Sequence, residues 1–239
     1  MKLSRYFKNY EDKYNPFLSI KKPIVVKAKV NIDKKDVRFN VGNVKEIDST
    51  SRKVARDLSR KYNCLAFSSF NEINLIITNP GKIISDKNTL ETHNVVSLFS
   101  QEIFMRYNEI SRNRNINFVS VNTFNIFEDK IKSYLYDRQS SSFNNYISFL
   151  ASKLFSYSQV KNKKREELLE IIESISPSLK HMKKYIKDGF TVLNGFELEV
   201  NDINSINDIK NINNVDIIKK ESMLNQSSLS SDFIVEEDI

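Results

Sequence analysis

Five segments of contrasting periodicity, in the order strand, helix, hairpin, helix, strand, constrain this chain more than any other feature. Ile24-Val25-Val26-Lys27-Ala28-Lys29-Val30 is rich in β-branched residues and bounded by polar ones, the pattern of a strand. Thr50 to Tyr62 sets Val54, Ala55, Leu58 and Tyr62 on one helical face, with Ser49 or Thr50 available as cap. Leu65 to Phe70 and Glu72 to Thr78 are apolar runs interrupted at Phe70-Asn71-Glu72, which reads as a β-hairpin, and Asn79-Pro80-Gly81 closes it. Residues 91–109 return to helical spacing through Val95, Val96, Leu98, Phe99, Ile103 and Phe104, and Phe118 to Phe124 reads as a further strand. This order predicts an α+β fold, a ferredoxin-like palm in which an antiparallel sheet carries helices on one face.

The flanks extend that core. A helix over 3–14 with Tyr6, Phe7, Tyr10 and Tyr14 stops near Pro16, and a second strand is expected around Val37–Val41. Phe127 to Leu154 and 161–175 are again helical in spacing, ending at Pro177, so the second half reads as mostly helix. Only four glycines and four prolines occur in 239 residues, which argues against a turn-rich all-β chain. Residues 1–200 are expected to form the palm domain with its helical part, and 201–239 an acidic, flexible tail.

Charge divides at the same place. Residues 202–239 hold eight acids against three lysines, a charge of −5, which leaves +12 on the remainder of a chain whose net charge is +7. A basic body of that size suits a polyanion such as RNA, and equally suits a lysine-rich solvated surface. The single cysteine, Cys64, excludes an internal disulfide and a cysteine-rich zinc site, and its apolar neighbours mark it as buried filler. No apolar run approaches the roughly 18 residues that span a bilayer, and the first residues lack the apolar core of a secretion signal. No membrane partner and a cytoplasmic location are therefore expected. The Asn, Ile and Lys bias reads as an AT-rich genome and would suit a virus or mobile element.

Several motifs agree in order with one family. Tyr134-Leu135-Tyr136-Asp137-Arg138-Gln139, followed by Asn145, Leu150, Ala151 and Phe155-Ser156-Tyr157, resembles the Arg-Gln block, Asn-bearing helix and Leu-Ala-x-x-x-Phe-Ser phrase of the tRNA-histidine guanylyltransferases. Phe7 to Tyr14 resembles that family's leading helix, Lys22 to Lys27 its first palm strand, and Phe67 to Ile73 its Tyr-x-Gln-Ser-Asp-Glu-Ile phrase. Tyr185-Ile186-Lys187-Asp188-Gly189 resembles its closing aromatic-x-Lys-Arg-Gly segment. The resemblance runs in order over about 5–195. It implies a palm related to that of template-dependent polymerases and addition of nucleotides to a tRNA 5′ end, with Mg²⁺ and GTP or ATP.

The residues of this chain depart from that chemistry where it matters. Nucleotidyl transfer needs divalent cations, and hard cations need carboxylate oxygens. The family's first aspartate falls at Lys29 and its second at Asn71, so of the catalytic positions Lys29, Asn71 and Glu72 only Glu72 keeps an acid. No metal or cofactor site is expected. Asp33, four residues past Lys29, is too far along a strand to stand in. Lys29 is expected either to pair with Glu72 in the space of the lost ion or to point to solvent. Val30 replaces a glycine beside the phosphate, Phe70 a serine, and Ser140-Ser141-Ser142-Phe143 an Ala-Asp-x-His phrase.

Weaker candidates remain. Lys27 and Ser69 are candidate phosphate ligands. Arg138, Gln139, Asn145, Lys161, Lys163, Lys164 and Arg165 are candidate RNA contacts, with capping, buried hydrogen bonds and a solvated helix face as the structural alternatives. Lys180, Lys183, Lys184 and Lys187 extend the basic set. His93 and His181 have no acidic partner at ligand spacing. Three functions follow: an inactive guanylyltransferase-like palm that binds tRNA, another RNA or a protein; an interaction subunit docking through its 202–239 tail, with no nucleic acid role; or an active nucleotidyltransferase with a non-standard metal site built on Glu72. The resemblance further implies a homo-oligomer.

Overall fold

In a computed structural model the segments 3–11, 15–32, 41–81, 89–111, 116–175, 189–198 and residue 200 are described, all within a unit that spans Met1–Val200. Asp33, His181, the lysines from 180 to 187, the whole 201–239 stretch and all of the expected strand over 37–41 except Val41 lie outside the described residues, and Val41 begins a helix.

The main sheet has six antiparallel strands. It is built from β2 (Ile24–Ile32), β3 (Leu65–Ser69), β4 (Glu72–Ile77), β6 (Ile116–Asn125), β7 (Phe190–Leu193) and β8 (Phe196–Leu198), in the spatial order β6-β2-β4-β3-β7-β8. Helix α2 (Val41–Tyr62) connects β2 to β3, and α3 (Thr92–Ile110) connects β4 to β6. The strand-helix-hairpin-helix-strand palm read from the sequence is therefore present. A small ribbon, β1 (Phe17–Ser19) with β5 (Thr89–Glu91), stands beside it.

Alternation along β2 separates two layers. Ile24, Val26, Ala28 and Val30 join Ala66, Leu75, Ile77 and Val119 in the main core, under Val54, Ala55 and Leu58 of α2 and Val95, Phe99, Ile103 and Tyr107 of α3. Cys64 lies in this layer, and burial pushes its thiol up to about 12, so it packs as an apolar side chain.

The opposite face is not bare, as a one-sided palm would leave it. It carries α1 (Leu3–Glu11) and α4 (Ile131–Leu154), which follows a short 3₁₀ turn at Glu128–Lys130. Phe7 of α1 meets Tyr134 of α4 edge to face at 5.3 Å, and Tyr134 meets Phe124 of β6 at 5.9 Å. Each such buried ring contributes about 2 to 3 kcal/mol by removing apolar surface from water. The Tyr134 hydroxyl donates to Asn74 Oδ1 at 2.8 Å, so its polar end is satisfied inside the layer.

A second cluster forms where the β3–β4 turn meets the C-terminal half of α4. Ile47, Phe70, Phe143, Tyr146, Ile147, Leu150 and Ala151 join Ile172 of α6 (Arg165–Ile175), with the short α5 (Tyr157–Val160) between. Among those whose burial is described, the aromatics of 134–157 are thus mainly core, as their spacing predicts, and Tyr136 is exposed.

The second half is mostly helix, as its spacing predicts, and adds two short strands, β7 and β8. They join through Asn194-Gly195, both at positive φ, as a two-residue hairpin turn requires. Gly189 precedes them at φ +65, and a Cβ there would lie 2.4 Å from the Phe67 ring, so only glycine fits.

Candidate functional site

Cross-strand pairing brings the three expected catalytic positions together. Lys29 of β2 lies opposite Glu72 of β4, and Asn71 sits in the turn just before it. The Val30 N–H donates to Asn71 O at 2.9 Å, while Asn71 Nδ2 donates back to Val30 O at 2.9 Å. The same-face rule sets Lys27 with Asn74, Lys29 with Glu72 and Ser120, and Ser69 with Glu72 on the face that α1 and α4 partly cover.

The turn that presents Asn71 is strained and clamped. Phe70 adopts φ +53, a left-handed conformation that costs a bulky residue about 1 to 2 kcal/mol. Three contacts hold it. The Phe70 N–H donates to the buried Asp48 Oδ1 at 2.8 Å, and its ring packs against Phe149 at 4.8 Å and Tyr146 at 5.5 Å. Asp48 also accepts from Arg52 Nε at 2.6 Å. Burial pushes the Asp48 carboxyl up against the lowering pull of Arg52 and the Phe70 amide.

The cation beside Glu72 is Arg138, not Lys29. Arg138 is 5% exposed, and its Nη1 lies 3.7 Å from Glu72 Oε1 and 3.5 Å from Glu11 Oε1, while Nη2 donates to Asp137 Oδ2. Burial alone would push the guanidinium down; Tyr134, Glu72, Asp137 and Glu11 together reverse this and hold it above its ordinary range. Glu72 Oε1 also accepts from Asn74 Nδ2 at 2.9 Å, and Lys27 Nζ closes the network on Glu11 Oε2 at 2.7 Å. Five charges from β2, β4, α1 and α4 are thus joined through one buried arginine.

This geometry gives each candidate residue a definite place. Lys29 forms no pair with Glu72: it is exposed and has no carboxylate partner among the described residues, because Arg138 already holds the acid. Asn71 offers more than an amide oxygen, since its nitrogen is spent on Val30. The Val30 side chain is fully buried in the main core, on the face away from Glu72, so it does not crowd a phosphate there. Lys27 is tied to Glu11, and Ser69 is buried. Arg138 is buried among Glu11, Glu72 and Asp137 as their counter-ion.

The remaining candidates sit elsewhere. Gln139 is half-buried and Asn145 exposed on α4. Lys161, Lys163, Lys164 and Arg165 are all exposed on the turn between α5 and α6, and the Arg165 guanidinium lies 4.7 Å from the Phe143 ring centroid. Phe143 belongs to the cluster that buries Phe70, with Ile32 of β2 packed on it, so the basic turn occupies the same end of the sheet as Lys29. His93 is exposed, 3.5 Å from Glu91.

Two magnesium ions do not fit this donor set. At the strand ends Glu72 is the sole carboxylate among Lys29, Asn71 and Glu72, and it is occupied by a guanidinium and an amide. Among the described residues no three His, Cys, Asp or Glu side chains converge as a metal-holding group.

The architecture is a four-strand antiparallel core extended by one hairpin and covered on both faces by helices. Among solved structures the chain is similar to tRNA(His) guanylyltransferase of Saccharomyces cerevisiae, with a TM-score of 0.52, 18% identity, 81% of this chain and 94% of that one covered. It is similar also to a bacterial tRNA(His) guanylyltransferase-like protein solved in complex with ATP, with a TM-score of 0.52, 16% identity and coverage of 80% and 86%. No family model and no curated sequence matches the chain. Its fold is the tRNA(His) guanylyltransferase-like fold.

Proposed function

We propose that this chain is a catalytically inactive relative of the tRNA-histidine guanylyltransferases whose palm is retained to bind RNA. The observation that carries the reading is the buried Arg138, which takes up Glu72 while Lys29 and Asn71 replace the other acids. An active variant built on Glu72 would have to displace a guanidinium held by three carboxylates. RNA binding is supported by the +12 charge ahead of the acidic stretch and by the exposed basic turn 161–165 at the Lys29 end of the sheet. No helix among the described residues is long and apolar enough to cross a membrane.

Labelled GTP and magnesium supplied with a tRNA transcript are expected to give no incorporation, while the same transcript binds with a salt-dependent affinity. Replacing Lys161, Lys163, Lys164 and Arg165 together by glutamine is expected to flatten the slope of log K against log salt by about 3, at roughly 0.7 to 0.9 per phosphate contact. Robust incorporation would overturn the inactive reading, and an unchanged slope would remove the turn from the interface.

The outer face of α3 supports self-association. Asn94, Leu98, Gln101, Met105 and Asn108 are exposed at alternating spacings of four and three, flanked by Phe104, and none carries a charge. Two such helices crossing antiparallel at Gln101 set Asn94 against Asn108 and Leu98 against Phe104, the self-complementarity that a two-fold axis demands. Met105→Lys is expected to convert a dimer to a monomer in sedimentation velocity; a monomeric wild-type protein would refute this.

A further inference from the structure

We propose that the uncovered end of the sheet face, where Phe118 stands beside Lys29, is a stacking site for single-stranded RNA: one base lies on the Phe118 ring and its phosphate meets the Lys29 ammonium. The proposal rests on the RNA-binding reading above and names the surface that would carry it.

Helices α1 and α4 cover only part of the face they share. Phe7 and Tyr134 seal the end that holds Phe124, and the layer holding Lys27 and Asn74 is closed by Glu11 and the Tyr134 hydroxyl. Beyond Glu72 the same face opens. Lys29, Ser120 and Phe118 are all exposed, and Asn31 is half-buried.

Register fixes how these residues meet. Lys29 pairs with Ser120 and Asn31 with Phe118, and the strand irregularity comes only after Asn31. Phe118 and Lys29 are therefore diagonal neighbours on one face, with Cβ atoms about 7 to 8 Å apart, a separation long side chains bridge. A nucleotide whose base covers the ring has its phosphate within the arc of the lysine, with the Ser120 hydroxyl between.

A single exposed apolar residue is ordinary on a protein surface. Phe118 differs in two respects. At 56% exposure it is the most exposed large apolar side chain among the described residues, and it makes no ring or cation contact with any of them. Its neighbours on the face are a cation with no carboxylate partner among the described residues, a hydroxyl and an amide, which is the chemistry of a stacked nucleotide and not of an apolar protein contact.

The charge around it agrees. The acid nearest in register, Glu72, is held by Arg138 and turned into the buried network, so among the described residues no carboxylate competes with an external anion for the Lys29 ammonium. A duplex keeps its bases stacked inside and cannot use such a platform, which makes a single strand the matching form.

The chain contains no tryptophan, so Phe118→Trp introduces a lone indole reporter at the site. Titrating the full chain bearing this change with a single-stranded adenine-rich oligoribonucleotide is expected to quench the indole, and a duplex of the same length to leave it unchanged. Phe118→Ala is expected to weaken the single strand about 5- to 150-fold, the range for one stacked base. Lys29→Gln is expected to lower the salt slope by about 0.7. Because Phe118 is exposed, circular dichroism should show both variants folded. If the wild-type chain binds the oligonucleotide and Phe118→Ala binds it equally well, the stacking site is overturned while the RNA reading stands. Failure of the wild-type chain to bind any RNA overturns both.

Discussion

Arg138→Met is expected to destabilise the fold by about 3 to 5 kcal/mol, the cost of leaving a buried charge cluster without its cation. For a unit of this size that corresponds to a fall of roughly 6 to 20 °C in Tm, at about 2 to 4 °C per kcal/mol. The argument is one of sign. Glu11, Glu72 and Asp137 reach toward Arg138, and Lys27 neutralises only Glu11. Methionine fills a similar volume but leaves the buried Glu72 and Asp137 without the cation that both reach. Adding Glu72→Gln should return part of the loss, because a neutral amide can still accept from Asn74 and no longer needs a counter-ion. Thermal melts of the two single variants and the double variant measure that coupling. RNA affinity per folded molecule should not change in Arg138→Met, since the side chain is buried; a selective loss of RNA binding without a loss of stability would return Arg138 to the RNA interface.

The palm core was legible because its five segments each carry a period that burial enforces. Val26, Ala28 and Val30 alternate because one face of β2 meets α2 and α3, and Val54, Ala55 and Leu58 recur helically for the same reason. The first turns of α2 were not legible. Ile47 and Asp48 are buried, but by the Phe70 turn and by α4, partners far away in sequence, and Gly42 weakens the local helical signal further. Strand β7 is four residues long, too short for alternation to register, although Asn194-Gly195 between two apolar runs was a usable hairpin signal.

In the site, the order of motifs located Lys29, Asn71 and Glu72 correctly at adjacent strand ends, because a hairpin turn and a facing strand end meet wherever the register is fixed. Sequence could not say which cation takes Glu72. Lys29 is its cross-strand neighbour, whereas Arg138 reaches it from a helix 66 residues further on, and that choice is made by how α4 lies over the sheet. Nor could it show that the amide at position 71 donates to the Val30 carbonyl.

That last point decides what happens when the missing aspartates are put back. The Lys29→Asp/Asn71→Asp double variant is expected to gain no magnesium-dependent GTP binding in calorimetric titration and to lose about 1 to 3 kcal/mol of stability. A carboxylate at position 71 has no hydrogen to give to Val30 O, so the 2.9 Å contact that ties the turn to β2 becomes an oxygen–oxygen repulsion. The turn is already holding Phe70 at φ +53 and depends on that tie. A carboxylate at position 29 would stand opposite Glu72, with like charges across the strand pair, and the adjacent guanidinium would compete with any dication for both. The single variant Lys29→Asp, which leaves the Asn71 clip intact, should be the more stable of the two and equally unable to bind the metal nucleotide. Recovery of tight magnesium-dependent binding in the double variant would mean that Arg138 yields readily to a metal ion. The loss of activity would then be confined to two side chains and would not extend to the network behind them.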